Sequence, residues 1–114
     1  MATAADFRRI AMSLEGTIEA PHFDRAAFKV ARIYTTLAAD GKTANFRFTP
    51  EEQVLKIALY PDAFSALDNA WGKQGWTEGK LSKLDVARLR SALETAWQNA
   101  QPKPPKRRTS DKKK

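Results

Sequence analysis

The spacing of apolar residues changes twice along this chain, and that change constrains its fold more than any other feature. Between about residues 21 and 48, apolar and polar side chains alternate, as they do in strands that bury one face. On either side of this region, apolar residues recur at the spacing of a helical face. The order predicts a protein in which helices pack against a sheet.

Three short antiparallel strands are expected in the alternating region. The apolar or β-prone residues that share one side of each strand are Phe28 with Val30, then Ile33, Thr35 and Leu37, then Ala44, Phe46 and Phe48. Asp40-Gly41 predicts a hairpin turn between the last two strands, because both central positions of the favoured turn need positive φ. A turn at Asp24-Arg25 is expected before the first strand.

The first two helices have clear start signals. Thr3 and Asp6 resemble a capping box at the start of a helix over Thr3 to Leu14, and Gly16 is a plausible stop. The second helix begins at Thr49-Pro50 and ends before Pro61. Its apolar residues fall on one stripe, as in the first helix: Val54, Leu55, Ala58 and Leu59.

The C-terminal third of the sequence predicts one more strand and one more helix. Gly75 to Glu78 is a β-prone segment that follows an irregular loop. The last helix is expected from about Asp85 to Ala100, with Trp97 on its inward face. The order of elements predicts an α+β fold, with a mainly antiparallel sheet, helices packed on one face and the other face partly open.

The length and the charge distribution indicate one domain with a basic tail. A chain of 114 residues suits a single small domain, which we place at residues 1–100. Residues 101–114 have three prolines and no large apolar residue, so we expect a disordered tail. Of the formal net charge of +7, residues 1–100 contribute +1 and the tail +6. The total charge therefore says little about the folded part.

Composition argues against several classes of function. The chain has no cysteine and one histidine, His22, so we expect no disulfide, no metal site, no cofactor and no enzymatic activity. Its apolar runs are too short to cross a bilayer, and its N-terminus lacks a basic region followed by an apolar stretch. We expect a cytoplasmic protein, a monomer, without a membrane partner.

Three segments carry a resemblance to a known family. They are Asp6 to Leu14, Pro21 to Val30, and Ala70 to Thr77, the last with the arrangement W-G-x-x-G-W-T. Over roughly residues 3 to 100 the chain resembles the MmcQ/YjbR family of small bacterial proteins. The resemblance implies a CyaY-like fold with a double-wing arrangement, which descriptions of that family treat as a DNA-binding motif. The first helix is not acidic enough for the iron binding of frataxin-like proteins.

The tryptophans and glycines of that motif admit two interpretations. Trp71 and Trp76 could form a platform on which bases stack, but a packed structural role is the simpler interpretation. Gly72 and Gly75 lack the Lys-Ser/Thr of a phosphate loop. His22 lacks catalytic partners and is expected to be structural or to lie on the surface.

The exposed basic residues also admit two interpretations. Strand parity turns Lys29 and Arg47 away from the apolar side, so neither is expected to support the fold. Candidate nucleic-acid contacts are Arg25, Lys29, Arg32, Lys42, Arg47, Lys73, Lys106, Arg107 and Arg108. They could follow a phosphate backbone, or they could simply solvate a strand face and protect its edges.

The first functional hypothesis is therefore a non-enzymatic protein that binds DNA through basic strand and loop residues, assisted by its tail. The second is a protein-interaction or small-ligand-binding adaptor that uses the open sheet face. The basic tail and the family resemblance favour the first, whereas the near-neutral balance of residues 1–100 favours the second.

Overall fold

The computed structural model describes residues 1–102, which form one antiparallel sheet with helices. The helices are α1 (Ala4–Ser13), α2 (Pro50–Leu59), α3 (Ala70–Lys73) and α4 (Val86–Asn99), with a 3-10 turn at Leu81–Lys83. The strands are β1 (Ile18–His22), β2 (Arg25–Lys29), β3 (Ile33–Leu37), β4 (Thr43–Arg47), β5 (Phe64–Ala66) and β6 (Trp76–Lys80). Most of the expected tail, with Lys106, Arg107 and Arg108, lies outside the described residues.

The sheet has six strands in the order β1-β2-β3-β4-β6-β5, and every neighbouring pair is antiparallel. Helices α1 and α4 pack together on one face of the sheet, and α2 packs near β5 and β6. The α+β class and the position of the main helices on one face are confirmed.

Two strands were missed by the sequence analysis. β1 lies at an edge of the sheet and is largely exposed, so it has no apolar alternation to reveal it. β5 has only three residues. The alternating region therefore contributes to a four-stranded meander, and its first turn is at Phe23-Asp24 rather than at Asp24-Arg25.

The hairpin at Asp40-Gly41 is present but wider than expected. Only Gly41 has positive φ, at 72°. The loop spans residues 38–42 and is closed by a hydrogen bond of 3.0 Å from Ala38 N to Thr43 O. The Asp40 side chain accepts a further bond of 2.9 Å from Lys42 N. This Asx interaction stabilises the longer loop.

Aromatic rings fill the space between the sheet and the helices. Phe7 of α1 meets Phe28 of β2 edge-on, with ring centroids 5.4 Å apart. Phe46 stacks on Phe48 at 5.7 Å, and both are buried. These rings confirm the predicted parity of β2 and β4. The parity predicted for β3 was wrong at Ile33, because the register shift between Phe28 and Lys29 puts Tyr34 rather than Ile33 in the core with Leu37. Trp97 is half-buried and packs against the core, as its predicted inward position requires, and its Nε1 donates to Glu15 O at 2.9 Å.

The apolar stripe of α2 faces solvent. Val54, Leu55 and Leu59 are each more than half exposed. On the opposite, inward side, Ile57 packs against the core and polar side chains make long-range hydrogen bonds. Gln53 Nε2 donates to the carbonyl oxygens of Gly72 and Trp76, each at 2.9 Å.

Candidate functional site

The open face of the sheet carries a cavity of about 350 Å³. Strand side chains form part of its lining, and two further segments border it: the β1–β2 turn and residues 67–71. The aromatic, basic and amide side chains of the lining include Phe23, Arg25, Asn45, Arg47, Trp71 and Trp76.

Register explains why strand side chains meet at this cavity. Asn45 pairs with Thr36 of β3, and Arg47 pairs with Trp76 of β6. Phe46, between Asn45 and Arg47, is buried in the core beneath the helices. Because successive side chains of a strand point to opposite faces, its two neighbours point to the open face.

Arg25 lies across the open face and is half-buried. Its Nε donates to Thr36 Oγ1 at 2.8 Å, and its Nη2 donates to Thr36 O at 3.3 Å. Within residues 1–102, no carboxylate oxygen lies within 4.0 Å of this guanidinium group. Its orientation is therefore fixed by neutral partners, and its charge is not paired there.

Arg47 is also half-buried, and this corrects the expectation that it has no part in the fold. Its Nε donates to Ile33 O at 2.8 Å, and its guanidinium lies 5.1 Å from the centroid of the Trp76 ring. Burial lowers the pKa of Arg47, and the positive charge of Arg32 lowers it further. In the described part of the chain, this guanidinium also has no carboxylate within 4.0 Å.

The glycines of the tryptophan motif have a structural explanation. A Cβ at Gly72 would collide with the backbone carbonyl of Leu67. Gly75 has φ +112°, and a Cβ there would collide with Phe48 O. Close backbone approach and positive φ both favour glycine. Gly72 thus lets the motif pack against the segment after β5, and Gly75 lets it pack against the end of β4. These contacts position both tryptophans.

The two tryptophans have different roles in the structure. Trp76 is 8 % exposed, so the packed interpretation is correct for it. Trp71 is 56 % exposed, so that interpretation is wrong for Trp71. Their rings meet edge-on at 6.4 Å, which supports Trp71 while its indole remains accessible at the cavity.

Phe23 is a candidate site residue that the sequence analysis missed. It lies in the turn between β1 and β2, is 95 % exposed and has φ +59°. Among the described non-glycine residues, only Phe23 has positive φ. A bulky residue is uncommon in that conformation. The sequence does contain a signal for Phe23, because an aromatic residue stands where turns favour glycine or asparagine. Recognising that signal requires placing the turn one residue earlier than the sequence analysis did.

Asn45 contributes a polar group to the cavity lining. Its Oδ1 is buried and accepts no hydrogen bond from any other described residue. Buried polar atoms usually have a partner. The hydrogen bonding of this side chain is therefore incomplete within the described protein.

The remaining predicted contacts do not line the cavity. Lys29 is exposed on β2, on the same face as Ile33, and Arg32 lies in the β2–β3 turn near Arg47. Lys42 lies in the β3–β4 loop, and Lys73 ends α3. Of the predicted contacts, the cavity thus combines only Arg25 and Arg47, and His22 and Asp24 also line it.

A wider depression of about 800 Å³ shares Phe23, Asp24 and Arg25 with this cavity. It has Arg8 and Arg25 as cations, against three carboxylates, those of Glu19, Asp24 and Asp40. Arg8 is moreover paired with Glu19. For an anionic ligand, the smaller cavity is therefore the better candidate.

Residues 1–102 contain no group of three or more His, Asp or Glu side chains arranged to hold a metal ion. No helix in the same range is long and apolar enough to cross a membrane.

Comparisons with known proteins identify relatives of the sequence and of the fold. The sequence model of the YjbR family matches residues 12–99. The structure is similar to the crystal structure of Deinococcus radiodurans protein DR2400, which has a DUF419 domain, with a TM-score of 0.72 and 20 % identity. That alignment covers 84 % of this chain and 76 % of DR2400. No curated protein matches.

Proposed function

The chain belongs to the YjbR family, and from that premise we propose that it is a non-enzymatic DNA-binding protein whose open sheet face contacts the phosphate backbone. The observation that carries the proposal is the convergence of Arg25 and Arg47 on one cavity of that face. Neither guanidinium has a carboxylate within 4.0 Å in residues 1–102. Charge without an internal partner is available to an anionic ligand.

The guanidinium geometry suits phosphate oxygens. Arginine presents planar N–H groups that can bind two phosphate oxygens at once. The Nε of Arg47 donates to Ile33 O, and its terminal nitrogens make no hydrogen bond to another residue of the described range. Partial burial strengthens such a contact, because water screens it less than on an open surface.

Further basic residues extend the proposed contact surface. Lys29 and Arg32 continue it beyond the Arg47 end of the cavity. Lys42 in the β3–β4 loop and Lys73 at the end of α3 lie outside the cavity lining, and a longer ligand would contact them. Lys106, Arg107 and Arg108 add contacts without sequence preference in the same proposal.

A small-ligand-binding adaptor is the second candidate, and the cavity itself favours it. A volume of about 350 Å³ lies at the lower end of the range of small-molecule sites, and the lining combines aromatic and polar groups. An anionic aromatic metabolite would satisfy the same residues.

The proposal is tested by DNA binding with the full chain. Fluorescence anisotropy of labelled DNA is measured between about 50 and 200 mM salt for the parent, Arg25→Gln and Arg47→Gln. Arg90→Gln is the matched control, because Arg90 is exposed on α4, a helix that packs on the other face of the sheet. Circular dichroism verifies that each variant is folded.

We expect the parent to bind at low salt and the two open-face variants to bind several-fold more weakly. Each removed phosphate contact also lowers the slope of log affinity against log salt, by about 0.7 to 0.9. Arg90→Gln should change neither quantity appreciably. Equal losses in all three variants, or no DNA binding by the parent, would contradict the proposal.

A further inference from the structure

We infer that the cavity on the open sheet face takes one unpaired nucleobase, so that the protein prefers single-stranded to duplex DNA. This inference rests on the proposed DNA-binding function and specifies the form of DNA. Two exposed aromatic residues, one buried oxygen atom and the neighbouring guanidinium groups support it.

Two exposed aromatic side chains border the same cavity from different parts of the chain. Phe23 comes from the β1–β2 turn, and Trp71 comes from α3. Aromatic rings stack on the faces of unpaired bases with little dependence on base identity. In a duplex, neighbouring bases cover those faces. A stacking site of this kind therefore selects a single strand.

The conformation of Phe23 is not explained by the stability of the fold. A phenyl side chain at 95 % exposure gains little from packing, and positive φ is unfavourable for it. Asparagine or glycine would suit the turn better. Strained residues persist most often at ligand-binding sites. Stacking on a base gives this aromatic ring a role.

The unpaired oxygen of Asn45 distinguishes a base from a bare phosphate. Oδ1 is an acceptor, and a phosphodiester has no hydrogen-bond donor to offer it. The ring and exocyclic N–H groups of bases are donors. Because Oδ1 is buried, the amide must turn toward the cavity to accept such a bond.

In this inference, the guanidinium groups of Arg25 and Arg47 bind the phosphate of the same nucleotide. Arg25 and Arg47 line the cavity together with Phe23 and Trp71, so a base and its phosphate meet complementary groups in one place. A volume of about 350 Å³ is that of a small-molecule site, so it suits one nucleotide rather than a double helix.

The experiment measures how four ligands bind to the full chain at low salt. The probes are a labelled strand of about 15 nucleotides, its duplex, a strand of equal length with several abasic positions, and deoxyadenosine monophosphate as a competitor. The abasic strand keeps the phosphates and removes bases. It therefore separates stacking from charge.

Two variants remove the aromatic groups. Phe23→Asn keeps a residue that tolerates positive φ, and Trp71→Ala removes the exposed indole. Leu55→Asn is the control, because Leu55 lies on α2, is as exposed as Trp71 and does not line the cavity. Thermal melting should show that Phe23→Asn is at least as stable as the parent, which separates a binding role from a structural one.

We expect the parent to bind the strand about tenfold more tightly than the duplex or the abasic strand. Phe23→Asn and Trp71→Ala should each lose about tenfold for the strand, with little change for the duplex, and Leu55→Asn should match the parent. Duplex binding that equals strand binding, or unchanged strand affinity in both aromatic variants, would overturn the inference.

The outcomes also separate this inference from the proposed function. If duplex binds as well as the strand and depends on Arg25 and Arg47, DNA binding stands and the base-binding inference fails. If the mononucleotide competes as strongly as the strand, the small-ligand candidate replaces DNA binding, and both the proposed function and this inference fail. If no DNA binds, both fail.

Discussion

The guanidinium carbon of Arg47 lies 5.1 Å from the centroid of the Trp76 indole, and the two residues are direct partners across β4 and β6. This contact connects the basic residues of the open face to the tryptophan motif. One side chain therefore supports the sheet and also presents charge to the cavity.

Replacing Arg47 by lysine should separate these two roles. Arg47→Lys keeps a positive charge but loses the bond from Nε to Ile33 O and the planar contact with Trp76. We expect the free energy of unfolding to fall by about 1 kcal/mol. Urea denaturation measures it, with Lys29→Gln as the exposed control, expected within about 0.5 kcal/mol of the parent. Equal effects of the two changes would refute a structural role for Arg47.

Alanine at the motif glycines should be severely destabilising. Gly72→Ala and Gly75→Ala each place a Cβ against the backbone of another segment, and we expect a loss of at least about 3 kcal/mol or failure to fold. Gly16→Ala is the control: Gly16 also has positive φ, +80°, but its nearest neighbour would be Val30 Cγ1 at 3.7 Å. We expect that control to cost only about 1 kcal/mol. Similar melting temperatures for all three variants would contradict the packing described.

Tyr34 should make stability fall at alkaline pH. Burial raises the pKa of Tyr34, and the hydrogen bond with Thr17 opposes that shift. Because the folded-state pKa exceeds the unfolded value of about 10, the neutral phenol contributes its full stability below about pH 10. That contribution is lost as the pH rises through the folded-state value.

Tyr34→Phe tests this dependence. The variant loses the bond of 3.2 Å from Tyr34 Oη to Ala11 O, at a cost of about 1 kcal/mol near neutral pH. Its free energy of unfolding should then depend less on pH above about 10 than that of the parent. Urea denaturation near neutral pH and above about pH 10 measures the free energy of unfolding of both proteins. A parallel decline in the parent and the variant would exclude Tyr34 as the titrating group.

The orientation of α2 predicts that its apolar stripe tolerates polar substitutions. Leu55→Gln and Leu59→Gln should each change the free energy of unfolding by no more than about 0.5 kcal/mol, because both side chains are exposed. Ile57→Ala should cost about 1 to 2 kcal/mol, because Ile57 packs against the core while remaining partly exposed. The opposite ranking in chemical denaturation would show that the apolar stripe is the buried side.

Much of the secondary structure was predictable because its signals are local. Thr3 with Asp6 and Thr49 with Glu52 form the capping boxes at the starts of α1 and α2. Phe28 and Phe46 point to the core as strand parity required. Local signals failed at β1, whose exposed edge position leaves no apolar alternation.

The candidate site was predictable only in part. Parity indicated that Arg47 leaves the apolar side, but it did not reveal the bond to Ile33 or the contact with Trp76. Trp71 resembles Trp76 in local sequence, yet it is far more exposed. Phe23 was missed because its conformation depends on where the turn between β1 and β2 falls.

The sequence by itself therefore determined the elements whose signals lie within a few residues of one another: capped helices, alternating strands and glycine-dependent turns. The tertiary structure decided the rotation of α2 and the convergence of Arg25 with Arg47. Contacts between distant segments govern the first, such as the bond from Gln53 to Gly72 and the packing of Ile57 against the core. Strand register governs the second, because it brings together side chains that are far apart along the chain.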